Sequence, residues 1–600
     1  MKSIILTIFL CIFIYNTVAL NSDHDYEEGE PIYVWINRIG PYHNPHETYD
    51  YYDLPFCKPD LPKDLEVKTG GISEVIEGHL LQNSGIKLLF KKDIEKEDLC
   101  QMNLNEIETE SIQYAISNHY WYQLDIDGLP IWSKVGDLNL SQDAVDKLEE
   151  QGVTHEVLPD KTFIYTHRHF TLSYNQNNII EVNLTSSVLT KVEPLVPITF
   201  TYSCKWVYTD VPFSQRFNRY LEYNFFESQI HWFSILNSFM IVIFLAGLVA
   251  LIMMRTLNYD YARYKQDYSD NVERNKDDSG WKRIHGDVFR TPVHIQMYSI
   301  LMGTGAQLCF SILISLMLIL FGGHYVQHDD IITYFIIIYC ACTLVNGYVS
   351  GSIYRKAFFP HPSPKWTFTM ILAVSALPLL VSIGYLFLHI LMSTYLHATT
   401  VPVQVFLYIL AIWALIMIPL QTIGTIIGRN INGIPNYPCR TSSLPSPIPS
   451  TPFYTTPVFI SFISGLLPFG AIFIEIFFIF TSLWSYKYYY VYGFLLFMVL
   501  VLLIITICVS IVGTYILLNV ENYNWRWTSY FSGLSTGLYV FIYCVYFYLY
   551  KTEMSGYIQT LFFFTEALLL SSCISLVTAY ISSSAAEVFV KKIFNNIKID

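Results

Sequence analysis

The sequence predicts a polytopic α-helical membrane protein with nine transmembrane helices, preceded by an N-terminal lumenal domain that is mostly β and sandwich-like. Three observations support this fold class. Of the 600 residues, 52% are hydrophobic and only 14% are charged, a balance typical of multi-spanning membrane proteins and not of soluble enzymes. Nine apolar stretches long enough to cross a bilayer follow residue 230. Before residue 230, several stretches alternate between apolar and polar residues, as half-buried strands do.

Residues 1–20 are predicted to be a secretory signal peptide. Lys2 precedes a short apolar run, and Thr17 and Ala19 have the small-residue spacing of a cleavage site. An uncleaved anchor helix is the alternative, and either one would deliver the chain to the secretory pathway. Cleavage would also place the mature N-terminus in the lumen.

Residues 21–230 are predicted to form the lumenal β-rich domain. The region contains 34 Asp and Glu residues against 16 Lys and Arg, and its basic residues are scattered, so nothing in it indicates nucleic-acid binding. Apolar and polar residues alternate along the stretches 31–40, 85–92, 162–174 and 178–184. The clearest strand, ITFTYSCKW, alternates strictly and places five apolar residues on one face: Ile198, Phe200, Tyr202, Cys204 and Trp206.

Nine transmembrane spans are predicted in the region 231–581, and none has a lysine or arginine in its interior. They lie near 232–254, 298–321, 331–354, 367–389, 403–427, 458–480, 491–518, 528–550 and 558–581. The loops after spans 1, 3, 5 and 7, together with the tail 582–600, contain 17 Lys and Arg residues, whereas the other loops contain two. The positive-inside rule therefore places the first group and the tail in the cytosol.

The predicted lumenal domain has candidate modification sites. Asn139 and Asn183 begin Asn-X-Ser/Thr sequons and are candidate glycosylation sites. Three cysteines lie in the lumen after signal removal. Because Cys204 lies on the apolar face of its strand, we expect it to be a buried free thiol. A disulfide between Cys57 and Cys100 is then the hypothesis, with three free thiols as the alternative.

No catalytic site, metal site or cofactor is predicted. His167 and His169 share one face of a strand, but no third ligand has a suitable spacing, so we expect them to be structural. The GTGAQ stretch at 303–307 begins a transmembrane span and lacks the context of a phosphate-binding loop. Its small residues favour close helix packing.

Glu475 and Glu566 are the two carboxylates inside the predicted spans. An ionised carboxylate is costly in hydrocarbon, so each is expected to face protein or water. One interpretation is a proton or cation relay, or a contact for the helix of another protein. The other interpretation is an interhelical hydrogen bond.

Four longer motifs occur along the chain. They are GPYHNPHETYDYYDLPFC (40–57), GWKRIHGDVFRTP (280–292), GLLPFGAIFIEIFFIF (465–480) and NWRWTSYFSGLSTGLYVFIYCVYF (524–547). Together they resemble the transmembrane 9 superfamily, the nonaspanins. The resemblance implies a cleaved signal, a large lumenal domain and nine helices, and it supports the Cys57–Cys100 pair because both match family cysteine positions. It also implies residence in Golgi and endosomal membranes, and a part in the trafficking or surface delivery of other membrane proteins or in adhesion.

The chain ends in Lys598, Ile599 and Asp600, which place one cation and two anions at the predicted cytosolic tip. This ending resembles the KxD/E tail by which nonaspanins engage the COPI coat, and a chance ending is the alternative. The predicted protein is therefore not an enzyme but sorts or escorts client transmembrane proteins, with membrane lipids and the COPI coat as further partners. The alternatives are a transporter or channel that uses the intramembrane carboxylates, and an adhesion receptor.

Overall fold

The computed structural model describes most of the chain. The described residues are 25–45, 47–59, 67–68, 81–138, 162–213, 215–216, 281, 283–321, 328–395, 403–484 and 492–595, with scattered groups of one to three residues between 239 and 262. Four predictions fall largely or wholly outside these residues: the signal peptide 1–20, the Asn139 sequon, the span 232–254 and the tip Lys598, Ile599 and Asp600.

Eleven strands are described in the N-terminal domain, and they form two sheets. The strands are β1 (Pro31–Pro41), β2 (Tyr49–Asp50), β3 (Val67–Lys68), β4 (Leu81–Leu89), β5 (Ile94–Asn103), β6 (Tyr120–Ile126), β7 (Leu129–Lys134), β8 (Gly136–Leu138), β9 (Thr162–Asn175), β10 (Asn178–Lys191) and β11 (Pro197–Tyr208). The first sheet has the order β3-β4-β1-β6-β7, with β2 paired to β1. The second has the order β10-β9-β11-β5, with β8 paired to β9. Strands β9 and β11 are parallel.

The two sheets share one hydrophobic core, which agrees with the predicted sandwich-like β domain. Ile36 and Leu124 of the first sheet belong to the same buried cluster as Phe170 and Leu172 of the second. The predicted apolar face of β11 is buried at all five positions, namely Ile198, Phe200, Tyr202, Cys204 and Trp206. The strict alternation was therefore a sound guide to this strand.

The sequence did not predict helix α1 (Glu106–Ser117), which packs in the β domain. The Asn105 side chain accepts a hydrogen bond from the Glu108 N–H at 2.8 Å, and the Glu108 carboxylate accepts one from the Asn105 N–H at 2.9 Å. This reciprocal pair is a capping box, which satisfies backbone donors at the helix start. The Asn-X-X-Glu spacing is the signal that could have predicted the helix.

Eight helical stretches in the described part of the chain are long and apolar enough to cross a membrane, and they overlap the last eight predicted spans. The helices are α2 (Ile295–Phe321), α3 (His328–Phe358), α4 (Trp366–Tyr395), α5 (Val403–Ile412), α6 (Ile418–Asn432), α7 (Pro457–Ser464), α8 (Leu466–Trp484), α9 (Tyr492–Asn519), α10 (Trp525–Lys551) and α11 (Tyr557–Asn595). A π-helical turn, Trp413–Met417, joins α5 to α6. Gly465 separates α7 from α8.

Glycines allow α3 and α6 to approach closely. A Cβ atom on Gly347 of α3 would lie 2.4 Å from the Gln421 carbonyl oxygen, and one on Gly424 of α6 would lie 2.2 Å from the Leu344 carbonyl oxygen. Small residues let helix backbones meet in this way inside a membrane, where packing and hydrogen bonds drive association.

The last helix is longer than the predicted span 558–581. Helix α11 continues to Asn595, so the first part of the predicted tail is helical. Ala586, Val590 and Phe594 on this extension are buried. Serines and lysines lower the hydropathy after residue 581, but contacts with residues distant in sequence cover this surface. The prediction ended the helix early because hydropathy alone cannot detect such contacts.

Candidate functional site

The end of α11 lies in a packed apolar cluster, which we call the C-terminal platform. Its buried members are Trp281, Ile284, Val288, Phe289, Cys439, Ile460, Leu517, Leu518, Trp525, Ala586, Val590, Ile593 and Phe594. The Phe594 ring centroid lies 5.5 Å from that of Trp281 and 6.0 Å from that of Phe289. The platform therefore holds the last helix almost to its final described residue, Asn595.

Two indole groups join the start of α10 to the segment that precedes α2. Trp525 Nε1 donates a hydrogen bond to the Val288 carbonyl oxygen at 2.7 Å. Trp527 Nε1 donates one to the Val293 carbonyl oxygen, also at 2.7 Å. The motifs at 280–292 and 524–547 are thus joined in space although they are far apart in sequence.

Asp287 links the same segment to the proline-rich connection between α6 and α7. Its carboxylate is almost fully buried and accepts hydrogen bonds from Ser442 Oγ at 2.9 Å, Ser446 N at 3.0 Å and Arg290 Nε at 3.1 Å. Burial opposes ionisation, but the hydrogen bonds from Ser446, Arg290 and Ser442 outweigh it and lower the pKa of Asp287 to about 2. Asp287 is therefore ionised throughout the physiological range. We call this group of side chains the Asp287 clasp.

Four charged side chains lie beside the platform and form what we call the basic cluster: Lys356, Arg526, Glu587 and Lys591. The Lys591 ammonium lies 2.5 Å from a Glu587 carboxylate oxygen. Arg526 Nη2 donates a hydrogen bond to the Tyr437 hydroxyl at 3.1 Å. Lys356, at the end of α3, lies within electrostatic range of the other three. Sequence reasoning missed Glu587 because it ended the last span at residue 581.

At the opposite end of the bundle, the β domain contacts the loop between α10 and α11. Asn44 Nδ2 donates to the Ser555 carbonyl oxygen at 2.8 Å, and the Ser555 N–H donates to Asn44 Oδ1 at 3.1 Å. His43 Nδ1 lies 3.0 Å from a Glu553 carboxylate oxygen. The first part of the motif at 40–57 therefore joins the β domain to the membrane domain.

The cysteines of the β domain are placed as follows. Cys57 and Cys100 form a disulfide with their Cα atoms 6.1 Å apart. Cys204 is a buried free thiol, and burial raises its pKa to about 12. Such a thiol has almost no reactive thiolate at neutral pH.

The other candidate residues of the β domain are hydrogen-bonded to neighbouring side chains. Asn183 lies on β10, half-buried, and its Nδ2 donates to Glu181 Oε1 at 3.1 Å. The ring nitrogens of His167 contact the hydroxyls of Thr201 at 2.7 Å and Ser203 at 2.9 Å. His169 also contacts Ser203, at 2.7 Å. No cluster of three or more potential metal ligands occurs among the residues that the structure describes.

The two predicted intramembrane carboxylates occupy different environments. Glu475 is 3% exposed on α8, whose buried residues Ile472 and Phe480 pack against apolar and aromatic side chains of α9, α10 and α11. Glu566 is half-buried on α11 and within electrostatic range of Tyr385 on α4. The neighbours that the structure gives them among the described residues are therefore different.

A buried amide cluster that the sequence analysis did not predict lies inside the bundle. Asn346 Nδ2 donates to Gln307 Oε1 at 2.9 Å and to the Ala373 carbonyl oxygen at 3.1 Å. Gln307 Nε2 donates to Thr343 Oγ1 at 3.1 Å. These buried side chains cross-link α2, α3 and α4 inside the bundle, where such bonds help to fix helix register. Isolated amides in apolar spans are the signal that could have predicted it.

Comparison with known proteins gives the family. The model of the family "Endomembrane protein 70" matches residues 48–557, which is most of the chain. The chain belongs to this family, the transmembrane 9 superfamily. It is 34% identical over 586 residues to transmembrane 9 superfamily member 2 of Arabidopsis thaliana, and 33% identical to member 3 of the same plant, covering 96% of each chain in both cases. It is 30% identical to putative phagocytic receptor 1b of Dictyostelium discoideum, covering 100% of this chain and 99% of the relative. No solved structure matches.

The residues matched by the family model contain most of the structural features of this nonaspanin described above. The matched residues 48–557 include the disulfide, the Asp287 clasp, the amide cluster and the start of α10 at the platform. Members of the superfamily are non-enzymatic membrane proteins, so the protein is assigned no catalytic activity.

Proposed function

We propose that this nonaspanin sorts or escorts other membrane proteins in Golgi and endosomal membranes, with Lys598, Ile599 and Asp600 as a COPI coat-binding signal. The observation that carries the proposal is the C-terminal platform, which holds α11 through Phe594. Five residues then remain between Asn595 and the end of the chain. In this proposal the signal would therefore lie a few residues beyond the part of α11 that the platform holds.

The short stretch of chain between Asn595 and the proposed signal limits where a coat subunit can bind. An extended chain spans at most about 3.5 Å per residue, so Asp600 lies within about 18 Å of Asn595. A coat subunit that captures this tip must therefore come close to the platform. The Lys598 ammonium suits an acidic patch on a receptor surface, and the two carboxylates of Asp600 suit a neighbouring basic patch.

Client proteins would bind to parts of the protein other than the tail. In this proposal the β domain and the bundle contact client transmembrane proteins, and the surrounding lipids are partners of the apolar helix faces. The β domain joins the bundle through Asn44 and Ser555, so the two regions present one connected surface. The positive-inside charge pattern supports a cytosolic platform and a lumenal β domain in this proposal.

The tail is tested by substitutions that leave the bundle unchanged. We expect Lys598→Ser and Asp600→Ala each to redistribute the protein from its Golgi location at unchanged abundance, because each removes one charge of the signal. A two-residue extension after Asp600 is expected to do the same by moving the terminal carboxylate. Lys592→Ser is the matched control, since it removes an exposed lysine that is not part of the signal. An unchanged location for all three tail variants would contradict the proposal.

A transporter or channel is the second candidate, supported by the nearly complete burial of Glu475 at membrane depth. The test is the double change Glu475→Gln and Glu566→Gln in the full chain. A transporter that moves protons or cations through these carboxylates would lose flux, whereas an escort would keep its client binding. An adhesion receptor would instead bring the β domain to the cell surface, where surface labelling detects it.

A further inference from the structure

The basic cluster contains more positive than negative charge. Lys356 ends α3, Arg526 begins α10, and Glu587 and Lys591 lie near the end of α11. The single carboxylate of the four, Glu587, pairs with Lys591. Lys356 and Arg526 have no carboxylate within 4 Å among the described residues. Glu587 also lies within electrostatic range of Lys356 and Arg526, so one carboxylate faces three cations and the cluster keeps a net positive charge.

Arg526 is the part of the cluster that is hardest to explain as packing alone. Its side chain is only 9% exposed, and its Nε has no hydrogen-bond partner in the described part of the chain. The guanidinium lies 5.2 Å from the Trp525 ring and 5.8 Å from the Tyr437 ring. A buried guanidinium with an unsatisfied donor is costly, and an anion that binds beside it would complete its hydrogen bonds and balance the excess positive charge.

Two side chains of the basic cluster are partly exposed to solvent. The Lys591 side chain is 34% exposed, and Lys356 is half-buried. The cluster lies at the ends of α3 and α11 and the start of α10, and the termini of membrane-spanning helices lie near the lipid headgroups. The positive-inside rule explains an exposed lysine such as Lys592, but it does not explain a buried arginine with an unsatisfied donor.

We propose that Lys356, Arg526 and Lys591 bind a phosphate group, carried by an anionic phospholipid of the adjoining leaflet or supplied as free phosphate. Guanidinium donors match phosphate oxygens in geometry, and ammonium groups add charge around them. Basic pockets between transmembrane helices bind phosphorylated headgroups in this way. Glu587 then weakens phosphate binding, because its negative charge competes with the phosphate for Lys591.

The test uses the purified full-length protein in nanodiscs. One set contains phosphatidylcholine with a phosphoinositide monophosphate, and a second contains phosphatidylcholine alone with inorganic phosphate added to the buffer. Bound phosphoinositide is measured by native mass spectrometry after transfer to detergent, and bound phosphate by isotope uptake. The variants are Lys356→Gln, Arg526→Gln and Glu587→Gln. Lys592→Gln is the control that changes net charge by the same amount outside the cluster.

We expect Lys356→Gln and Arg526→Gln to weaken binding about tenfold or more, and Glu587→Gln to strengthen it. The control Lys592→Gln is expected to bind like the unmodified protein. Retention of the phosphoinositide identifies the lipid headgroup as the source, and saturable uptake in the second set identifies free phosphate. If neither ligand binds, or if Lys592→Gln weakens binding as much as Lys356→Gln, the proposal is wrong. Because Lys356 has no hydrogen bond in the described structure to lose, its variant remains informative even if Arg526→Gln does not fold.

Discussion

The Asp287 clasp gives the sharpest prediction, because it holds the segment that precedes α2 against the proline-rich connection between α6 and α7. The change Asp287→Asn keeps the size of the side chain but removes its charge and one of its two acceptor oxygens. The carboxylate now accepts from Ser446, Ser442 and Arg290. An amide NH₂ would face some of these donors, so we expect the 440–448 segment to separate from the segment that contains Asp287.

The magnitude follows from the pKa. The pKa of Asp287 falls from an ordinary 3.8 to about 2 in the folded protein, and one pKa unit corresponds to about 1.4 kcal/mol. The ionised side chain therefore contributes roughly 2–3 kcal/mol to the folded state. Since the pKa is lowered, this contribution is fully present above pH 4 and is lost as the pH falls from about 3.8 toward 2. Between pH 5 and 8 the clasp is expected to be insensitive to pH.

The assay is amide hydrogen exchange of the full-length protein at pH 7, followed in a peptide that covers 440–448. A loss of roughly 2–3 kcal/mol corresponds to exchange faster by roughly 30- to 150-fold through local opening. Arg283→Gln is the control, because Arg283 is 54% exposed in its 3.1 Å pair with Glu521 and such surface pairs contribute little. Unchanged exchange at 440–448 in Asp287→Asn would refute the reasoning.

Three other changes test the packing. Gly424→Ala is expected to reduce the yield of monodisperse protein in size-exclusion chromatography, since its Cβ would lie 2.2 Å from a carbonyl oxygen, whereas Gly470→Ala, with no atom within 4 Å, should be tolerated. Equal yields would contradict the close packing. Asn346→Leu should lower stability by about 1–3 kcal/mol in thermal unfolding, because it leaves buried amide and carbonyl groups without partners. An unchanged midpoint would argue against the amide cluster. Asn44→Ala should speed hydrogen exchange at Ser555, and protection equal to that of the unmodified protein would show that other contacts join the domains.

The β domain shows where sequence patterns suffice. Strand β11 was predictable because its five inward residues alternate with polar ones, and a sheet with one buried face imposes that period. The buried Thr201 and Ser203 on the other face were not predicted. They are covered because their hydroxyls contact the rings of His167 and His169 on the parallel strand β9, and pairing between strands cannot be deduced from one strand's pattern.

The membrane domain shows where such patterns fail. Hydropathy located eight helical stretches, because each needs about 20 apolar residues whatever it packs against. It could not find the end of α11, since Phe594 is buried by Trp281 and Phe289, which are about 300 residues away in sequence. The basic cluster was missed for the same reason: it is assembled from three helix ends, and no local spacing records their meeting.

The structure also connects the two ends of the bundle. Helix α10 begins at the platform, where Trp525 is hydrogen-bonded to the Val288 carbonyl oxygen, and ends at the loop that Asn44 contacts. Helix α11 returns from that loop to the platform, and the pair is packed closely at Gly533, where a Cβ would lie 2.3 Å from the Thr578 carbonyl oxygen. Because close-packed helices move as units rather than bending freely, this hairpin links the β domain to the point where the tail begins. In an escort, this hairpin and its hydrogen bonds to Asn44 would be the shortest route between a client held by the β domain and a coat held by the tail.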